Sequence, residues 1–92
     1  MDNLDTDFER ALKFVTEGTD STRFNNDIKL KLYGLYKRVT LGKCSEVGGS
    51  RPFYFNKIGT SKYDAWMSFD SVGSHKCKQL YVSIIREYSD FK

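Results

Sequence analysis

The sequence predicts an all-α protein, a four-helix bundle with one long connection between the second and third helices. Three observations carry this. Apolar residues recur at helical spacing in four separate segments. Capping and turn residues stand at the ends of those segments. The one stretch with strand character, "PFYFN" (52–56), has no second strand to pair with.

The first helix spans about residues 4–16, where Leu4, Phe8, Ala11, Leu12 and Val15 form one face. Thr6 and Glu9 fit a capping box near its start. The segment "EGTDSTR" (17–23) then breaks the pattern with a glycine and several turn formers. The second helix begins near Asn25 or Asn26 as N-cap and stops at Gly42, a suitable residue just past a helix end. Its core face is Ile28, Leu32, Leu35 and Val39. The third helix, about 61–69, takes Ser61 and Asp64 as its capping signature and Ala65, Trp66 and Phe69 as its apolar edge. The fourth, about 74–90, aligns Cys77, Leu80, Tyr81, Ile84 and Tyr88.

Residues 42–59 form the long connection, above the roughly 12–15 residues usual in compact domains, and such loops are often functional. Gly48, Gly49 and Pro52 exclude a helix through its middle. The loop is expected to be pinned to the core by Phe53, Tyr54 or Phe55.

At 92 residues the chain reads as a single domain, 1–92. With 39% hydrophobic and 15% aromatic residues it is globular rather than disordered. No apolar run reaches the roughly 18 residues of a membrane span, and the acidic start "MDNLDTDFER" is unlike a signal peptide. An intracellular, cytoplasmic protein with reduced thiols is therefore expected. Cys77 falls at a core position and acts as a small hydrophobe. Cys44, in the loop, has no assigned role. The only histidine, His75, lies at a helix start, so no metal site is expected. The acidic residues are dispersed and no nucleophile–base pair is evident, which argues against an enzyme.

The second helix carries a further stripe. Leu30, Tyr33 and Lys37 lie away from its core face, with Tyr36 beside them. A phenol ring can stack on a flat aromatic ligand. Phenol and ammonium groups both donate to phosphate. Gly34, in mid-helix, allows a backbone or a ligand to approach closely. By spacing alone, tyrosines packed on a neighbouring helix and a solvated lysine are the commoner case, and the strip by itself does not decide.

A resemblance narrows the reading. "LYGLYKRVTLG" (32–42) resembles the second-helix motif of the acyl-CoA-binding protein family. "SRP" (50–52) resembles its loop Arg-Pro, "KYDAW" (62–66) its third-helix motif, and "QLYVSI" (79–84) places Tyr81 like the tyrosine of its last helix. The four elements occur in the same order across nearly the whole chain. The resemblance implies an up-down-down-up four-helix bundle and a non-catalytic carrier of medium- and long-chain fatty acyl-CoA esters, working as a monomer without a cofactor. It implies that Tyr33 and Lys37 contact the phosphate end of the nucleotide, that Tyr36 stacks on adenine, and that Lys62 reaches the ribose 3′-phosphate. Tyr81 would border the acyl chain and pantetheine, and Phe8, Leu12 and Leu30 would line the acyl groove. Transient contact with membranes or acyl-CoA-using enzymes belongs to the same expectation. Departures include Tyr63 in place of a common tryptophan and an unusual "PFYFN" loop. Lys13 lies nearly a turn before the position where members often carry a first-helix lysine. The competing readings are a small basic nucleic-acid-binding module, for which a net charge of +3 is weak, and a helical protein-interaction domain using the loop aromatics.

Overall fold

The computed structural model describes residues 3–16 and 24–88. The helices are α1 (Leu4–Thr16), α2 (Asn26–Thr40), a single turn α3 (Cys44–Val47), α4 (Lys57–Met67) and α5 (Ser74–Tyr88). No strand occurs among the described residues. The expected linker between the first two helices, 17–23, lies outside them, as do residues 89 and 90 of the expected last helix.

Side-chain pairs set the helix directions. Asp5 pairs with Lys78 and Phe8 meets Tyr81, so α1 and α5 advance together. Lys62 sits over Tyr33 and Lys37 over Trp66, so α2 and α4 also advance together. The charge of Arg38 acts on Cys77 whereas Tyr36 acts on Tyr81, so α2 and α5 run in opposite directions. The order is up-down-down-up for the four longer helices.

The core gathers Phe8 and Ala11 from α1, Leu32 and Leu35 from α2, and Cys77, Tyr81, Val82 and Ile85 from α5, together with Phe24. Burying each large aliphatic or aromatic side chain contributes roughly 1.5–3 kcal/mol. Phe24 follows a polar stretch of sequence and lies on none of the four apolar faces that the periodicity predicts. It stands one residue before the N-cap Asn25 and turns inward as the chain enters α2. The inward face of α5 is also rotated from the expected one. Val82 and Ile85 are buried, Leu80 and Ile84 pack at the rim, and Tyr88 is exposed. The reason is that α5 is covered by both α1 and α2, so its apolar arc is wider than a single stripe.

Helix ends follow their capping chemistry. Asn25 Oδ1 accepts from the Ile28 N–H at 2.8 Å. Gly42 leaves α2 at φ +107°, where a Cβ would be strained. Thr6 lies within α1, which begins at Leu4. Helix α4 begins four residues before Ser61, because Asn56 supplies the cap by accepting from the Gly59 N–H at 3.0 Å.

Gly34 is buried and faces α4. A Cβ there would lie 2.4 Å from the Ala65 carbonyl oxygen and 2.7 Å from its carbon. The mid-helix glycine is thus spent on backbone-to-backbone approach of α2 and α4.

The long connection is not pinned as expected. Phe53, Tyr54 and Phe55 are 75%, 85% and 71% exposed. Polar ties and a buried thiol hold the loop instead. Ser45 donates to Asp70 through its backbone N–H (3.0 Å) and hydroxyl (2.6 Å). Arg51 makes a two-pronged contact to Asp64 at 2.9 and 2.8 Å. The Tyr63 hydroxyl donates to the Gly49 carbonyl at 3.1 Å, and Cys44 is buried in α3. Three aromatic side chains in one tight turn cannot all reach a core already closed by α1, α2 and α5.

Two outcomes follow from this packing. Gly34→Ala should destabilise the protein by about 1–3 kcal/mol in chemical denaturation, because overpacking a backbone contact outweighs the roughly 1 kcal/mol gain in helix propensity. A more stable variant would show that the α2–α4 crossing relaxes freely. The second outcome concerns acid. The hydrogen bonds from Arg51 hold the Asp64 carboxyl below its ordinary 3.8, and those from Ser45 do the same for Asp70. A depressed carboxylate contributes stability that is complete above its unfolded value and is lost as pH falls through the folded one. Melting temperature should therefore fall more steeply below pH 3.8 in the wild type than in Asp64→Asn. Parallel curves would remove the Arg51–Asp64 tie from the loop's stability.

Candidate ligand-binding site

Helix α2 has two working faces because it packs on two helices, α5 with one and α4 with the other. The second stripe runs along the α4 side. Tyr33 is half-buried there, and two ammonium groups lie over its ring. Lys62 Nζ from α4 is 5.3 Å from the ring centroid, and Lys37 Nζ, one turn along α2, is 5.8 Å from it. Both fall within cation–π range, about 6 Å. Lys37 Nζ also sits 5.0 Å from the Trp66 ring. Among the described residues neither lysine is paired with a carboxylate. Both charges rest on aromatic faces and are not neutralised by the surrounding described side chains.

The sequence pattern places Trp66 only on the apolar edge of a helix. It is buried, and its indole N–H donates to the Gly42 carbonyl at 2.8 Å. That bond ties the end of α2 to α4, while the ring face supports Lys37. The "KYDAW" spacing is the signal for this role, since it puts Lys62 and Trp66 four residues apart on one helical face. Between them, Tyr63 and Asp64 turn toward the loop and anchor it.

The other expected residues are distributed around this group. Tyr36 is 41% exposed, so much of its ring is open to solvent. Tyr81 is 3% exposed and meets Phe8, itself 5% exposed, edge to face at 5.2 Å and 70°. Burial, with a smaller contribution from Tyr36, pushes the Tyr81 phenol up to about 12. It therefore stays protonated, a donor rather than an anion, at neutral pH. Leu12 is half-buried at the edge of the core, and Leu30 is half-buried three residues before Tyr33. The structure thus brings Tyr33, Lys37 and Lys62 together with Trp66, and joins Phe8 to Tyr81 separately. Lys13 is exposed on α1.

The chemistry available here is recognition of an anion beside an aromatic surface. Burial raises the thiols of Cys44 and Cys77 above their ordinary value, which disfavours nucleophilic thiolates. Among the described residues no group of three or more His, Cys, Asp and Glu side chains converges as a metal site would require. No helix among them is long and apolar enough to cross a membrane.

Comparison with known proteins places this arrangement. A family model described as acyl CoA binding protein matches residues 5–85. The chain is 35% identical over 73 residues to acyl-CoA-binding domain-containing protein 6 of Oryza sativa subsp. japonica, covering 79% of this chain and 11% of that protein. It is 32% identical over 87 residues to acyl-CoA-binding domain-containing protein 3 of the same organism, covering 95% of this chain and 53% of that one. It is also 38% identical over 64 residues to human enoyl-CoA delta isomerase 2, covering 70% of this chain and 16% of the isomerase. The chain therefore spans about half or less of the length of these relatives. In three dimensions it resembles the crystal structure of Oryza sativa acyl-CoA-binding protein 2, with a TM-score of 0.78 at 29% identity over 92% of this chain and 89% of that one. The family match spans the helices that carry the lysine–aromatic group, and the same frame recurs in a solved member: the chain belongs to the acyl-CoA-binding protein family.

Proposed function

We propose that this chain is a non-catalytic carrier that binds one long-chain fatty acyl-CoA ester. The observation that carries the reading is the pair Lys37 and Lys62 on the faces of Tyr33 and Trp66, with no carboxylate partner among the described residues. In this reading the two ammonium groups take the ribose 3′-phosphate, and the Tyr33 phenol donates to the phosphate end. Tyr36, with its open ring, stacks on adenine, a contact typically contributing about 1–3 kcal/mol per base. Tyr81, Phe8, Leu12 and Leu30 border the pantetheine and acyl chain. Each buried methylene of the tail adds roughly 0.8 kcal/mol. Tail burial alone would accept free fatty acids and detergents, so the nucleotide contacts supply the selectivity for the ester.

Membership in the family and the raised thiols both support this reading, the latter because they favour binding chemistry over acyl transfer. The isomerase relative matches over only 16% of its length, so its named activity does not transfer with the similarity. A cytoplasmic setting suits two free buried cysteines.

Calorimetry with palmitoyl-CoA, free CoA and palmitate tests the function. The ester should bind one-to-one and far more tightly than either part, and a thiol assay should detect no hydrolysis above the protein-free blank. Equal affinity for palmitate, or sustained thiol release, would overturn the carrier reading. A second experiment tests the lysines. Lys37→Ala and Lys62→Ala should each weaken palmitoyl-CoA roughly tenfold, below the loss for a fully desolvated pair because Lys62 is exposed. Each should also lose most of the preference for the ester over its 3′-dephospho analogue, read as a mutant-by-ligand cycle at fixed salt. Coupling near zero for both would detach them from the 3′-phosphate.

A further inference from the structure

The carrier reading makes no use of the most exposed apolar group in the described structure. Phe53, Tyr54, Phe55 and Ile58 stand 75%, 85%, 71% and 73% exposed at the turn that leads into α4. The three rings form one cluster, and Ile58 follows it in the first turn of α4. The Phe53 and Phe55 rings stack at 5.6 Å with 4° between their planes, and Tyr54 meets Phe55 edge-on at 5.8 Å. The Asn56 N–H donates to the Phe53 carbonyl at 2.9 Å and closes the turn. The turn is set at both ends, by the Arg51–Asp64 contact before it and by the Asn56 cap after it. The aromatic side chains are therefore presented outward by a fixed backbone. Adjacent large apolar side chains in such a position mark an interaction surface.

Size and charge decide what it meets. Four side chains at one turn offer roughly 500 Å², short of the 800 Å² or so per partner of a stable protein interface. The same small wedge is sufficient for the interfacial zone of a bilayer, where aromatic rings with a polar edge settle at headgroup level. From Arg51 to Tyr63 the sequence contains three cations, Arg51, Lys57 and Lys62, and no acid. Arg51 is committed to Asp64, which leaves Lys57, exposed between Phe55 and Ile58, and Lys62 to face an anionic surface.

We propose that the Phe53–Tyr54–Phe55–Ile58 cluster docks this protein onto bilayers containing anionic lipid, with the rings in the interfacial zone and Lys57 at the headgroup phosphates. Ile58 and Lys62 are one turn apart on α4, so docking brings the Lys62 end of the lysine–aromatic group to the membrane surface. The docking stands without the carrier reading. Its use in loading or delivering an acyl-CoA rests on that reading.

The test is co-sedimentation of the full chain with vesicles of phosphatidylcholine alone and of phosphatidylcholine with about one-third phosphatidylserine, at about 0.15 M salt. Wild type should bind the anionic vesicles and bind the neutral ones several-fold less. The triple variant Phe53→Ser/Phe55→Ser/Ile58→Ser should lose about tenfold or more in partition, and Lys57→Glu alone should lose about tenfold on anionic vesicles only. Both variants should keep the wild-type melting temperature and the palmitoyl-CoA affinity measured without vesicles. Should the triple variant melt early, Phe53→Ser and Ile58→Ser are compared singly, with a smaller loss expected in each. Failure of the wild type to bind anionic vesicles, or equal binding by the folded variants, overturns the docking. So does concentration-dependent self-association that the triple variant abolishes without any vesicle binding, because the cluster is then a protein contact. Vesicle binding by a chain that fails to bind palmitoyl-CoA leaves the docking intact and overturns the carrier reading alone.

Discussion

The close crossing of α2 and α4 at Gly34 is the constraint on which the site depends. There the α2 backbone approaches the Ala65 carbonyl so nearly that a single methyl group has no room. Close, parallel helices let side chains one turn apart on each element meet in register. Lys62 reaches Tyr33 and Lys37 reaches Trp66 because of that spacing. A wider crossing would take Lys62 off the Tyr33 ring and Lys37 off the Trp66 ring. The helical cost of a mid-helix glycine, about 1 kcal/mol relative to alanine, is offset by the contact it permits.

The lysine–aromatic group treats charge differently from the ion pairs that join elements elsewhere. Lys78 is matched to Asp5 across α5 and α1, and Arg51 to Asp64 across the loop and α4. Such exposed pairs contribute little to stability individually, but they orient the elements they join. At Tyr33 and Trp66 the positive charges rest on π faces instead. An aromatic face attracts a cation without neutralising it. The ammonium groups keep their donors and their charge for an incoming anion.

The loop illustrates a related division. It is held by hydrogen bonds from Ser45 to Asp70, from Arg51 to Asp64 and from Tyr63 to the Gly49 carbonyl, and by the burial of Cys44, none of which requires its aromatic side chains. Phe53, Tyr54 and Phe55 are thereby released from a structural role. Their position just before α4 links a surface feature to the same helix that carries Lys62 and Trp66.

Local pattern and capping chemistry were legible in the chain itself. Four helices, the Asn25 cap, the Gly42 exit and the core positions of Phe8, Ala11, Leu32, Leu35 and Cys77 follow from periodicity and from which residues satisfy helix ends, because these are decided within a few residues of sequence. The motif resemblance also singled out Tyr33, Lys37 and Lys62. What periodicity does not encode is the partner of each face. The inward turn of Phe24, the burial of Val82 and Ile85, the start of α4 at Lys57 and the outward display of the loop aromatics were decided by which helices cover which surfaces. Gly34 shows the difference most directly. The sequence allowed a close approach by a backbone or by a ligand, and only the packing of α2 on α4 assigned that space to the Ala65 backbone, because proximity between residues 31 apart is a property of the assembled fold.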